Sequence, residues 1–286
     1  PFGRGTEWKD TSSFATSFAP YSGKMMVLDI NPNIAFRICD ALSVAAGLNA
    51  YYSEVEQKQF LPGSHSKLTA DGTALGWNAA ATLKFTDRQR LAFTYRSPFT
   101  VDYNGEDRIT GVGTGKASTS IDFPDIMALA YGFEFTDTLR AEIDVERIGF
   151  GTYDQLAILD PLLSAYFALP PGPIVTPQNW SDTWTYAIGG EWDFATNWTA
   201  RTGFMYIESP VPEKTYSALG ADEDQGVISF GLGYENETHA IDVGYAYGIF
   251  DGRNINGNTA TLIPGTYDGS YDYNVHLLSF SYGFKF

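Results

Sequence analysis

Residues 276–286 read HLLSFSYGFKF. From Leu278 onward every second residue is large and apolar (Leu278, Phe280, Tyr282, Phe284, Phe286), and the positions between them are Ser279, Ser281, Gly283 and Lys285. A period of two, with one greasy side and one small or polar side, describes a β-strand that holds one face in an apolar medium. That medium is either a protein core or lipid, and the rest of the chain has to decide which.

The same alternation recurs upstream. HAIDVGYAYGIF (239–250) sets Ile241, Val243, Tyr245 and Tyr247 against Asp242, Gly244 and Ala246, and GVISFGLGYE (226–235) sets Ile228, Phe230, Leu232 and Tyr234 against Ser229, Gly231 and Gly233. WTARTGFMYI (198–207), TWTYAIGGEWDF (183–194), LRAEIDVE (139–146) and DIMALAYGFEF (125–135) behave alike. So do RLAFTYR (90–96), LGWNAAATLKF (75–85), LSVAAGLNAYY (42–52) and KMMVLDINPNIAFRI (24–38), the last bent at Pro32 because proline lacks the ladder donor. Eleven such segments result, each near the ten or so residues of a tilted membrane-spanning strand.

Their connections alternate in length. Tight ones fall at 39–41, 86–89, 136–138, 195–197 and 235–238, and long ones at about 54–74, 97–118, 148–179, 208–225 and 250–271. Regular alternation of tight turns with long loops is the pattern of an outer-membrane barrel, with turns toward the periplasm and loops outside. The aromatics gather next to the tight turns (Phe85, Phe135, Trp192, Phe194, Trp198, Tyr234, Phe284, Phe286), where an interfacial girdle belongs. The expected fold is an all-β, antiparallel transmembrane barrel forming one domain over residues 1–286, its apolar rows facing lipid and its polar rows facing the lumen.

Composition agrees. The 286 residues have a mean hydropathy of -0.17, and no run approaches the roughly 18 apolar residues of a transmembrane helix, which leaves strands as the means of crossing. A formal net charge of -16 speaks against a nucleic-acid partner. Cys39 is the lone cysteine, so neither an internal disulfide nor a Cys-based metal cluster is available.

Few motifs point to chemistry. GVGTGKAS (111–118) lacks the spacing and the strand-to-helix setting of a phosphate loop. His65, His239 and His276 share no metal-ligand spacing and read as surface or lumen residues, with His276 the one that could meet a ligand. Glu142, Asp144 and Glu146 form an acidic comb, expected to pair with lumen cations such as Arg201, Arg96 and Lys84 rather than to act as catalytic carboxylates. ADEDQG (221–226) and DGRNINGN (251–258) do not fit the EF-hand spacing. The loop at 148–179 stands out: Leu156, Ile158, Leu159, Leu162, Leu163, Tyr166, Phe167 and Leu169 are too apolar for open water. Pro161 marks a helix start and PPGP its end, so this segment either covers the barrel mouth or offers a greasy landing surface, and both can hold.

Several stretches resemble the FadL-type outer-membrane transporters of long-chain fatty acids and aromatic hydrocarbons. They are PFGRGTEW (1–8), INPNIAFRICDALSVAAGLNAYY (30–52), TWTYAIGGEWDFATNWTARTGFMYIESPVP (183–212) and DEDQGVISFGLGYENETHAIDVGYAY (222–247), in family order, with Gln225 where a basic residue is expected. The family fold is a 14-stranded barrel plugged by an N-terminal hatch. The resemblance therefore implies that the eleven strands are its C-terminal portion, without the hatch and the first three strands. It implies passive uptake of a hydrophobic small-molecule ligand, no enzymatic step and no cofactor. Capture would fall to the loops at 54–74 and 97–118, where Phe60, Leu61, Leu68, Phe99 and Val101 are the apolar candidates, and to Leu162 and Phe167 in the loop at 148–179. Arg96 or Arg201 could neutralise a carboxylate head group, which an aromatic hydrocarbon would not need. The partners it implies are outer-membrane lipid and lipopolysaccharide, and the barrel-assembly machinery, whose recognition signal the terminal Phe286 resembles. The alternatives are a barrel lipase or esterase built around His276, and a structural or adhesive barrel.

Overall fold

The computed structural model of the protein describes residues 3–9, 11–12, 19–220, 222–261 and 263–285. Phe286, the proposed assembly signal, lies outside the described residues. In chain order the first strands are β1 (Arg4–Glu7), β2 (Pro20–Ile30), β3 (Asn33–Arg37), β4 (Leu42–Leu61), β5 (Ser64–Thr86) and β6 (Gln89–Arg96). Then come β7 (Phe99–Ile109), β8 (Gly113–Phe123), β9 (Ile126–Glu134), β10 (Leu139–Ile148), β11 (Gln155–Leu159), the helix α1 (Pro161–Tyr166) and β12 (Ile174–Pro177). The last are β13 (Thr183–Ala195), β14 (Trp198–Ile207), β15 (Gln225–Glu235), β16 (His239–Phe250), β17 (Arg253–Ile255), β18 (Gly269–Tyr271) and β19 (Asn274–Phe284).

The wall is an antiparallel meander. β2 and β3 both pair with β4, followed by β5, β6, β9, β10, β13, β14, β15, β16 and β19, each beside its predecessor. With β2 and β3 counted as one bent strand, the wall has the eleven segments that the periodicity marks. The bend falls at Pro32, where asparagine side chains replace the interrupted ladder: Asn31 Nδ2 donates to the Leu48 carbonyl at 2.7 Å and Asn33 Nδ2 to that of Asn31 at 3.0 Å. The tight connections sit where the sequence places them, and Asn197 takes a φ of 69° in the β13–β14 turn, a conformation that asparagine tolerates.

The faces settle which medium the apolar rows meet. Leu75 is 81% exposed, Leu278 80% and Phe280 72%, and Leu48, Ile143, Ile188, Trp192 and Phe204 stand outward with them. A water-soluble sandwich would bury these side chains; a barrel in lipid turns them out. His239 and His276 share this outward row, stacked beside Tyr282 and hydrogen-bonded to the Tyr245 hydroxyl at 2.8 Å respectively, so His276 does not face the lumen. The inner face is polar and paired. Arg96 meets Asp29, and Asn49 Nδ2 bonds the same carboxylate at 2.8 Å.

The acidic comb differs from expectation. Glu142 faces Arg90 at 3.7 Å, whereas Arg201 is taken by Glu191 and Asp242 and Arg96 by Asp29. Cross-strand register selects these partners: Arg201 stands directly opposite Glu191, a relation that composition does not disclose.

The long connections also differ. Segment 54–74 is the outer part of one hairpin, since β4 and β5 stay paired from Leu42↔Leu83 to Leu61↔Ser64. Segment 97–118 is mostly the β7–β8 hairpin, which leaves the wall at Ser97–Pro98 and pairs along β5 from Asp71↔Asn104 to Ser66↔Ile109. The outer parts of β4 and β5 are mostly polar, whereas β7 does alternate, with Phe99, Val101 and Tyr103 buried against Thr100, Asp102 and Asn104, so its apolar row faces protein and not lipid. No helix among the described residues is long and apolar enough to cross a membrane, which leaves strand crossing untouched.

The buried packing lies at this long-connection end. One cluster stacks Phe99 between Tyr51 and Phe123, at centroid distances of 3.7 and 4.6 Å, over the fully buried Val101 and Tyr103. The other gathers Val211, Tyr216, Ala218, Ile255 and Tyr267 from the connections after β14 and β16.

Candidate functional site

Two cavities differ in chemistry. At the tight-turn end of the lumen, a cleft of about 540 Å3 is bordered by Lys84, Arg88, Arg90, Arg140, Glu142, Glu191 and Arg201. Its arginines are engaged: Glu191 holds Arg140 and Arg201 together, and Asp242 takes the other end of Arg201 at 2.7 Å. A hydrated, charge-balanced space of this kind suits polar traffic.

At the opposite end lies an apolar groove of about 210 Å3. Leu68 on the β4–β5 hairpin faces Leu156 and Ile158 of β11, Leu163 of α1, Ile174 and Val175 around β12, and Leu219 from the connection after β14. Polar atoms enter the lining from Gln57, Gln59, Ser66, Asp160 and Tyr267, and from serine, threonine and glutamine side chains at 176–178, 217 and 259–261.

The segment 155–177 forms this groove by folding back on itself. β11 pairs with β12 and, through Ile158↔Thr119 and Leu159↔Ser118, with β8. Asp160 caps α1 by accepting from the Leu163 amide at 2.9 Å, and Pro161 supplies the fixed φ of a first helical position. α1 then settles on the β7–β8 hairpin: Leu162 fits against Gly115, where an added Cβ would lie 2.7 Å from the Leu162 Cβ. The Tyr166 hydroxyl donates to the Pro62 carbonyl at the tip of the β4–β5 hairpin, which ties the three excursions together.

Beneath α1 sits a buried acid pair. Asp107 of β7 and Asp160 are both fully buried, and each leaves one carboxylate oxygen without a donor. Asp107 accepts from Ser66 Oγ at 2.6 Å, and its carboxyl group also reaches Asp160 within hydrogen-bonding distance. Burial, followed by the like charge of Asp107, pushes the Asp160 carboxyl up to about 6. The Asp160 carboxyl therefore keeps its proton below about pH 6 and is ionised above it, beside Asp107. Among the described residues no three His, Cys, Asp or Glu side chains converge to hold a metal, the acidic loops at 222–226 and 251–258 included.

The residues singled out from the sequence are dispersed by the fold. Leu68 lines the groove, Leu162 anchors the helix that roofs it, and Phe167 caps that helix with its ring edge-on to Tyr166 at 5.7 Å. Phe99 and Val101 lie in the aromatic cluster, and Leu61 is buried near the hairpin tip. Phe60 tilts against Tyr21 and His65, at 4.6 and 4.8 Å. Arg96 and Arg201 are down in the lumen with their carboxylate partners. Asp160, Ile174, Val175 and Leu219 are groove residues that the sequence did not single out, and Asp107 lies behind them beside Asp160. The Asp160-Pro161 step carried a signal, an N-cap before a first-turn proline, but Asp107 has none, because its burial depends on α1 landing above it.

A family profile described as "Outer membrane protein transport protein (OMPP1/FadL/TodX)" matches residues 1–286. The long-chain fatty acid transport protein of Escherichia coli (strain K12) is 23% identical over 298 residues, an alignment covering 86% of this chain and 65% of the relative. The chain thus spans just under two thirds of the length of that relative. Among solved structures, a Pseudomonas aeruginosa FadL homologue superposes with a TM-score of 0.82 at 18% identity, covering 99% of this chain and 72% of that one. The Ralstonia pickettii toluene transporter TbuX superposes with a TM-score of 0.66 at 16% identity, covering 88% and 72%.

Proposed function

The chain belongs to the outer membrane protein transport family (OMPP1/FadL/TodX), and we propose on that premise that it forms the barrel of a channel for passive uptake of hydrophobic compounds. A ligand settles from outside into the groove between Leu68 and α1 and passes into the barrel below. The observation that carries this reading is the apolar groove of about 210 Å3, placed at one end of a wall whose outward rows are apolar. Its volume is of the order of the 150 Å3 Leu/Ile/Phe-lined cavity that binds benzene.

In this reading the long connections face the cell exterior, and β19 runs toward the periplasm. The outward rows meet outer-membrane lipid and lipopolysaccharide, and Phe286 serves as the handle for barrel assembly. The apolar rows and the aromatics beside the tight turns support that orientation. The eleven-stranded wall is read as one domain, the counterpart of the later strands of a longer family barrel, and that the chain covers 65% of the Escherichia coli relative supports this. The reading assigns no catalytic role, in keeping with relatives named as transport proteins.

The test is uptake of radiolabelled toluene and oleate by cells that lack their own transporter and express the full chain. Uptake of either compound above the vector control is expected, reduced at least fivefold by Leu163→Asp or Leu68→Asp. Uptake equal to the control, with the barrel present in the outer membrane, would refute the proposal.

A further inference from the structure

The acid pair under α1 has no evident part in capturing a hydrocarbon, yet a buried ion with unmet oxygens is costly to keep. Its surroundings offer no compensation. Among the described residues, no lysine, arginine or histidine lines the groove. On β7, Glu106 and Arg108 lie on the exposed face, opposite Asp107. On β5, Ser66 points at the pair, whereas His65 and Lys67 face away, and Lys67 is held by Glu56 at 2.8 Å. The inward residues of β8 beside α1 are uncharged, with Lys116 on the exposed face. The lumen arginines are spoken for by Asp29, Glu191 and Asp242. A ligand in the groove therefore meets leucine, isoleucine and valine side chains beside uncharged polar ones, with the uncompensated carboxylate of Asp160 in the wall and Asp107 behind it.

We propose that the Asp107–Asp160 pair determines specificity by charge: it makes the groove accept uncharged apolar ligands and reject those that bear a carboxylate. This rests on the groove being the capture site. The mechanism is electrostatic exclusion inside a protein-walled groove, where Coulomb repulsion is less screened than in water. Arg96 and Arg201 cannot rescue a carboxylate at this position, because they lie in the lumen with carboxylate partners of their own. The ligand class that remains is the compact neutral hydrocarbon, which the groove volume also suits.

A matched pair of ligands isolates the charge: p-xylene, and p-toluate, in which one methyl is replaced by carboxylate. Affinity is measured by isothermal titration of the full-length chain in detergent at pH 7.5, for wild type, Asp160→Asn and Asp107→Asn. Asparagine keeps the helix cap and the Ser66 hydrogen bond in either variant, so two independent changes probe the same charge, and circular dichroism reports folding. Wild type should prefer p-xylene at least tenfold. Desolvation of the carboxylate contributes to that ratio in any apolar site, so the decisive result is its change: each variant should shrink it at least fivefold. An unchanged ratio in both folded variants, or equal wild-type affinities, overturns the charge filter while leaving capture at the groove intact. Binding of neither ligand by wild type overturns the groove as capture site and the filter with it.

Discussion

Raising the pH should loosen α1 from the β7–β8 hairpin, and Asp160→Asn should remove that sensitivity. In the folded protein the Asp160 carboxyl is raised from 3.8 to about 6, first by burial and then by Asp107. When α1 lifts off, the group returns to water and to its ordinary value. Between those two values the closed state binds more protons than the open one, so closure is favoured at low pH and weakens as pH rises through 6. The full displacement of about two pH units corresponds to about 3 kcal/mol, an upper bound on the change in opening free energy. The amides to follow are Ser164, Phe167 and Leu169, which donate within α1 and its cap to Asp160, Leu163 and Ser164 carbonyls at 2.9, 3.1 and 2.8 Å. In hydrogen exchange, after correction for intrinsic rates, their protection should fall about 25-fold between pH 4.5 and 7.5. In Asp160→Asn, which keeps a competent cap, it should be flat over the same range. Protection independent of pH in the wild type, or an equal slope in the variant, would show that burial under α1 does not raise the Asp160 carboxyl.

Two further expectations concern the wall and the hairpin. Ile188 stands outward in the middle of β13, so Ile188→Arg places a cation at lipid mid-depth and should cost about 2–4 kcal/mol in a urea refolding assay into lipid vesicles; a loss below 1 kcal/mol would argue that this row does not face lipid. At Gly105 an added Cβ would lie 2.0 Å from the Thr69 carbonyl oxygen and 2.5 Å from the Ala70 Cα, both backbone atoms that cannot rotate away. Gly105→Ala should therefore separate β7 from β5 at a cost of about 1–3 kcal/mol. Faster proteolysis at the β7–β8 tip would report it, and wild-type cleavage rates would count against that close approach.

Much of the architecture is written in the period-two pattern. The lipid-facing rows, the tight turns and the bend at Pro32 depend on local chemistry, on which residue is greasy, which turns and which lacks a donor, so the sequence alone determines them. Where the pattern falls silent, legibility ends: the outer halves of β4 and β5 are mostly polar and only their pairing makes them strands, while the period-two row of Phe99, Val101 and Tyr103 in β7 is buried by packing that the sequence does not disclose. Pairing also chose Glu191 and Asp242, not the acidic comb, as the partners of Arg201, because cross-strand register is a relation between distant segments. The groove is the furthest from the sequence. Leu68, Ile158, Leu163 and Leu219 converge, and Asp107 meets Asp160, only because β11 pairs with β8 and α1 lands on the hairpin. Local hydrophobicity decides which residues must hide from water; tertiary packing decides which of them share one wall, and which buried charge stands behind it.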